Sequence, residues 1–187
     1  MDIQILISNS LALFFLCLFA TAGISKFTPA NQDYYAQVMQ GYGIRLPELA
    51  KASLLLIAAV EVLTGVLILI PLLRIVGSVF AACLLLMYLV LMTIQLLKGK
   101  ADVDCGCNGP GRQTSISPAL ILRNTVLVLC AVFTGLTVMT MDVTLSGWSE
   151  WILATALAGF LWLVYLSGDQ LIANQQKLNQ LKALMNV

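Results

Sequence analysis

Hydrophobic residues along this chain form long uninterrupted runs, and short polar segments separate them. A helix needs about 20 apolar residues to cross the hydrocarbon of a bilayer, because it rises about 1.5 Å per residue. Five runs reach that length, namely Ile3–Ile24, Leu49–Ile70, Ile75–Leu97, Ala119–Thr140 and Trp148–Ser167. They are far longer than strands, and helices satisfy their own backbone polar groups in lipid. The pattern predicts an all-α integral membrane protein with five transmembrane helices.

The polar segments suggest how the chain is organised. We expect a polytopic membrane bundle over residues 1–168 and an amphipathic tail over residues 169–187. A short helix lying on the membrane surface is predicted over Asn31–Gln40. No basic residue precedes the first apolar run, and the run is long for a signal peptide. We therefore interpret it as a retained helix.

The composition agrees with a lipid environment and removes several function classes. The chain has 187 residues, of which 60% are hydrophobic and 10% are charged, and the net charge is +1. Soluble domains carry about 25% charged residues. The chain contains no histidine, which excludes Ser-His-Asp catalysis and His-ligated zinc or haem. The small net charge gives no case for binding nucleic acid.

Positive charge lies almost entirely on one side of the predicted bundle. Nine of the ten Lys and Arg residues lie in the loops joining the first and second helices and the third and fourth helices, or in the tail. Arg74 alone lies on the opposite side. The positive-inside rule therefore places the N-terminus outside and the loop between the third and fourth helices in the cytoplasm.

That loop contains Cys105 and Cys107 within the segment ADVDCGCNGPGR. A disulfide between cysteines one residue apart closes a small, strained ring, and strain makes such a bond easier to reduce. Nearby basic residues favour the reactive thiolate, whereas Asp102 and Asp104 oppose it. The spacing favours a redox-active dithiol. A purely structural disulfide and two ligands of a metal site stay open, although zinc sites usually need four ligands.

Two ionisable residues, one inside a predicted helix and one just beyond the end of another, also suggest function. Glu61 lies near the middle of the second helix, where a charge costs several kcal/mol unless it is paired or protonated. Lys26 or Arg123 could pair with it, or a protonated Glu61 could donate a hydrogen bond between helices. Its role is either to hold helices together or to handle a proton or a quinone. Taken alone, Lys26 is best interpreted as a lysine that snorkels to the interface. In a thiol relay, Lys26 and Arg123 would instead stabilise a thiolate of the loop.

The remaining cysteines lie within predicted helices. Cys17 lies on the half of the first helix nearer the Cys105 loop, which makes it a candidate exchange partner. A small cysteine packed in a bundle is the simpler interpretation, and it is the one that we favour for Cys83 and Cys130.

Five segments occur in a fixed order between about residues 10 and 135, namely TAGISKF, YGIRLP, VEVLTGVLIL, KGKADVDCGCNG and ISPALILRN. Together they resemble the MauE family of methylamine-utilisation membrane proteins, which is related to DoxX-like redox membrane proteins. Many members have Phe after the Cys-Gly-Cys motif, whereas this chain has Asn108. The resemblance implies that the family's motif positions are occupied by Lys26, Glu61, Cys105, Cys107 and Arg123.

The resemblance also implies a fold and a role. The fold would be a DoxX-like four-helix bundle in a bacterial inner membrane, with a fifth transmembrane helix added at the C-terminus. The role would be thiol–disulfide chemistry that helps to mature the small subunit of methylamine dehydrogenase, with a thioredoxin-like, MauD-like partner. Whether a quinone takes part stays open. That subunit is periplasmic, which conflicts with the cytoplasmic loop predicted by charge.

Two other function classes fit the sequence. A non-catalytic membrane scaffold or chaperone could hold a partner subunit, with Cys105 and Cys107 only closing the loop. A small transporter would place Glu61 in its path, but only that carboxylate supports it.

Overall fold

The computed structural model describes residues 3–41, 47–99, 117–140 and 147–185. Within these ranges the chain forms six α-helices, and two short 3₁₀ turns, Pro29–Asn31 and Pro71–Leu73, precede the second and fourth. The helices are α1 (Ile3–Phe27), α2 (Gln32–Gly41), α3 (Pro47–Leu69), α4 (Arg74–Leu97), α5 (Pro118–Thr140) and α6 (Trp148–Met185). Cys105 and Cys107 lie outside the described residues.

The five predicted transmembrane helices are confirmed. In the described residues, five helices are long and apolar enough to cross a membrane, and no strand occurs there. α2 confirms the short helix expected after the first span. Pro47 and Pro118 each stand at the first helical position, where the missing N–H leaves no hydrogen bond unmade. The DoxX-like bundle type stays a prediction.

α1 is the central helix of the bundle. It packs against α3, α5 and α6, while α4 packs against α3 and α5. Its aromatic residues Phe14, Phe15 and Phe19 are all buried, and they form the core with apolar side chains of the other helices. Large apolar residues on the outer faces of α3 to α6 are exposed, as expected for surfaces solvated by lipid.

Glycines let α1 and α3 approach closely. A Cβ added at Gly23 would lie 2.6 Å from Val62 Cγ2 and 2.9 Å from the Ala58 carbonyl oxygen. Gly65 of α3 also faces α1, and a Cβ added there would lie in contact with the backbone of Leu16, 3.4 Å from its carbonyl oxygen. Small residues at helix contacts are the usual means of close packing in membranes.

Arg74 secures the end of α3. Its Nε donates to the Ile68 carbonyl oxygen at 3.0 Å, and its Nη2 donates to Asn9 Oδ1, also at 3.0 Å. The last carbonyls of a helix have no partner inside the helix, and Pro71 cannot supply an N–H. Arg74 is therefore buried as the cap of α3 and ties that end of α3 to α1.

α6 runs for 38 residues without interruption. At about 1.5 Å per residue it is about 57 Å long, which exceeds the thickness of the hydrocarbon. The apolar run ends at Ser167, but the helix continues through Asp169 to Met185. The residues that we expected to form a separate amphipathic tail therefore continue α6, and Asp169 lies within this helix.

The close approach of α1 and α3 generates a stability prediction. Gly23→Ala places a methyl group against a backbone oxygen that cannot move alone, so we expect the free energy of unfolding to fall by about 1–3 kcal/mol. Gly159→Ala is the matched control, because a Cβ there meets nothing within 4 Å. We expect the control to be neutral or stabilising. Unfolding of the two variants in detergent checks this, and equal effects would contradict the packing described for Gly23.

Candidate functional site

A buried ion pair joins the end of α1 to the middle of α3. Lys26 Nζ lies 2.8 Å from both carboxylate oxygens of Glu61, and the two residues are 4% and 1% exposed. An unpaired charge at such depth would cost several kcal/mol, whereas the pair is neutral overall and hydrogen-bonded. Lys26 also lies in the last turn of α1, where the helix dipole favours a cation.

Two tyrosines complete this ion pair. The Tyr88 hydroxyl donates to Glu61 Oε1 at 2.5 Å, and the ring centroids of Tyr35 and Tyr88 lie 5.7 and 5.8 Å from Lys26 Nζ. An ammonium at that distance from aromatic rings is attracted by their quadrupoles. The Tyr35 hydroxyl is hydrogen-bonded to Ser25 Oγ at 2.9 Å. One cluster of polar side chains therefore holds α1, α2, α3 and α4 together.

A second ion pair joins α5 to α6. Arg123 Nη1 is bonded to Asp169 Oδ1, and the side chain of Asp169 is 1% exposed. The Arg123 guanidinium carbon lies 5.1 Å from the ring centroid of Tyr165, which is also on α6. This pair fixes the long last helix to the bundle at the point where its apolar run ends.

A cavity of about 190 Å³ lies between the two ion pairs. All five long helices contribute to its wall. Its polar side includes Glu61, Tyr88 and Arg123, and its aromatic side includes Trp162 and Tyr165. The two aromatic rings are stacked, with centroids 5.7 Å apart and an interplanar angle of 19°. The five helices thus line a space with both apolar and charged walls.

The structure corrects the interpretation of Lys26 as a snorkelling residue. Its ammonium does not reach the interface, because Glu61 and two tyrosine rings hold it inside the bundle. Glu61 pairs with Lys26, which was one of the two partners considered for it. Arg123 pairs instead with Asp169, which sequence reasoning had assigned to the tail.

Tyr88 was also missed by sequence reasoning. The sequence did contain a signal for Tyr88 and for Asp169, because a hydroxyl or a carboxylate that is buried among apolar helices needs a hydrogen-bonding or charged partner. Cys17 carries a free thiol on an exposed face of α1, and its role as an exchange partner stays a prediction. Cys83 is also exposed, so its interpretation as a packed residue was wrong, whereas Cys130 is half-buried and packs against the core. Within the part of the chain that the structure describes, no group of three Cys, Asp or Glu side chains could hold a metal ion.

Comparison with known proteins identifies the family. Residues 4–138 match the family model described as "Methylamine utilisation protein MauE". The chain belongs to the MauE family. Lys26, Glu61, Tyr88 and Arg123 lie inside the matched residues, whereas Asp169 and the α6 wall of the cavity lie beyond them.

Three curated relatives carry the name "Methylamine utilization protein MauE". The protein of Paracoccus denitrificans is 32% identical over 172 residues, which cover 90% of this chain and 89% of the relative. The protein of Paracoccus versutus is 30% identical, and the match covers 67% of each chain. That of Methylophilus methylotrophus is 27% identical over 94% of this chain and 92% of its own. No solved structure matches the chain.

The buried ion pair of this MauE-family chain makes a strong stability prediction. Glu61→Gln keeps the side-chain shape but leaves the Lys26 ammonium buried without a carboxylate, so we expect a loss of about 3–5 kcal/mol in the free energy of unfolding. Lys26→Met combined with Glu61→Gln removes both charges, and most of the loss should be recovered.

A double-mutant cycle in detergent measures the coupling between the two sites. Lys98→Met is the control, because Lys98 is an exposed lysine at the end of α4. Additive effects of the two single substitutions would contradict a direct ion pair.

Proposed function

We propose that this protein is a thiol–disulfide redox protein of the bacterial inner membrane, and that it supports the maturation of methylamine dehydrogenase or a similar enzyme. The observation that carries the proposal is the Cys105-Gly106-Cys107 motif in a chain that belongs to the MauE family. The family name supports methylamine utilisation as the context, and a dithiol supplies the chemistry.

The proposed step is an exchange with a thioredoxin-like partner. A thiolate of the reduced partner attacks the disulfide between Cys105 and Cys107, and a mixed disulfide forms. The partner's second thiolate then attacks the mixed disulfide, which leaves an oxidised partner and a reduced Cys105–Cys107 pair. Two electrons move from the partner to this protein, and strain in the small disulfide ring favours that direction.

The two helices that flank the Cys-Gly-Cys loop are held firmly, which supports this role. α4 ends at Leu97 and carries Tyr88, and α5 begins at Pro118 and carries Arg123. Each of these two side chains belongs to a buried cluster that binds a neighbouring helix. Fixed flanking helices hold the two ends of the loop in place, which lowers the entropic cost of binding a partner there.

The ion pairs change the role that we assign to Lys26 and Arg123. Both were candidates to stabilise a thiolate, but each cation is bound to a carboxylate that offsets its charge. We therefore propose that they position helices. Thiolate stabilisation then falls to basic residues closer to the motif in sequence, such as Lys98 and Arg112.

The exchange role is tested by replacing the two loop cysteines. In a methylamine-grown host we expect Cys105→Ser and Cys107→Ser each to reduce active dehydrogenase at least tenfold, because either change prevents the disulfide. Cys83→Ser is the matched control, since Cys83 is a free, exposed cysteine of α4. Dehydrogenase activity and the thiol state of its small subunit are the measurements. Full activity in the double variant would favour the scaffold instead.

The side of the membrane that the loop faces is a separate prediction. Lys26, Arg123 and Arg74 are held in buried contacts, and the seven other Lys and Arg residues all lie on the loop side of the spans. We therefore expect a cytoplasmic loop. A variant in which Cys17, Cys83 and Cys130 are Ser should, once the Cys105–Cys107 disulfide has been reduced, react with an impermeant thiol reagent in inverted vesicles only. Labelling in right-side-out vesicles would reverse the orientation and allow direct contact with a periplasmic partner.

A further inference from the structure

The cavity between the two ion pairs is not used by the thiol exchange itself. Its volume of about 190 Å³ is smaller than the roughly 300 Å³ at which pockets for drug-sized ligands begin. It therefore suits one substituted ring rather than a large molecule. Its walls combine a stacked aromatic pair with polar side chains, and the five helices that line it are long and apolar enough to cross a membrane.

We propose that this cavity binds the head group of a membrane quinone. A planar ring can pack against Trp162 and Tyr165, since offset stacking is a favoured aromatic geometry. The two carbonyl oxygens of a quinone need hydrogen-bond donors. The wall offers the amide of Asn124, which is 2% exposed and which, among the residues that the structure describes, donates only to the weak acceptor Met92 Sδ, at 3.4 Å.

The balance of electrons also favours a quinone, and this part of the argument rests on the proposed function. Each exchange leaves Cys105 and Cys107 as thiols, which must be oxidised again. Two S–H bonds break and one S–S bond forms, and two electrons and two protons go to the quinone, which becomes a quinol. Cys17, Cys83 and Cys130 are free, so these described cysteines form no second disulfide that could take the electrons.

The position of the cavity fits such a transfer. Arg123 and Asn124 lie about five or six residues inside α5, which is about 8 Å along the helix from its start at Pro118. Tyr88 lies nine residues before the end of α4, the other helix that flanks the loop. The polar wall of the cavity is thus in the half of the bundle nearer the Cys-Gly-Cys loop. An acyl chain would gain nothing from these buried polar groups, which is why we favour a quinone over lipid.

Tryptophan fluorescence tests the site in the full-length protein. The chain has three tryptophans, and Trp162 is the one that lines the cavity. Trp148→Phe with Trp151→Phe leaves Trp162 as the reporter, and those two residues are exposed at 88% and 45%. Titration of purified protein in detergent with a ubiquinone bearing one isoprene unit should quench this fluorescence with saturation, because quinones quench a stacked indole.

Filling the cavity should abolish the saturation. Ala22 lines the cavity, so Ala22→Leu should weaken the apparent affinity at least tenfold. Ala156→Leu is the matched control on an exposed face of α6 and should leave it unchanged. Leu166→Phe is a second filling variant in case Ala22→Leu does not fold, as judged by thermal unfolding. Quenching that is linear, or equal in filled and control variants, would mean partition into the micelle and would overturn the site.

The two proposals fail separately. In the single-tryptophan background, Cys105→Ser with Cys107→Ser should still bind the quinone, because the side chains that we propose to contact it all lie in the helices. Saturable quenching together with normal enzyme maturation in that variant would overturn the thiol relay and keep the quinone site. Loss of maturation with no saturable quenching in the parent protein would keep the relay and overturn the quinone site.

Discussion

The bundle depends on the buried ion pair between Lys26 and Glu61. Neither charge is tolerable alone at that depth, so each requires the other and both require α1 and α3 to lie close together. Gly23, one turn before Lys26, permits that approach because no side chain separates the helices. Tyr88 then fixes the position of α4 through the same carboxylate. Close packing and charge pairing thus require the same arrangement of α1, α3 and α4.

The second pair, between Arg123 and Asp169, extends the same principle to the C-terminal helix. Because both pairs are neutral, the protein can keep a polar interior in lipid without an unpaired charge in either cluster. The cavity lies between them and takes part of its wall from each. Asp169 also lies outside the residues matched by the family model, so α6 completes a site whose other parts lie within the matched region.

The sequence was enough to predict the spans, because an apolar run of about 20 residues has few alternatives to a membrane helix. It also singled out Glu61, since a carboxylate in such a run needs an explanation. It misplaced Lys26, because depth at a helix end depends on how α1 packs and not on the residue itself. Asp169 was assigned to the tail because the apolar run stops two residues earlier, whereas the helix continues. Tyr88 looked like any aromatic residue of an apolar helix.

Lys26 and Arg123 are each paired with a carboxylate, and this separates two tasks that the sequence had combined, namely holding helices together and activating the thiols. If their charges acted on the thiols, the reactivity of Cys105 and Cys107 would depend on the bundle's interior. Since each is offset by a carboxylate, the proposed reactivity of the two cysteines would depend mainly on their own small ring and on basic residues near them in sequence. The interior is then free to hold helices and to shape a cavity. The two properties that we propose, a redox potential in the loop and a binding space in the bundle, could then change independently, because the described lining of the cavity lies in the helices.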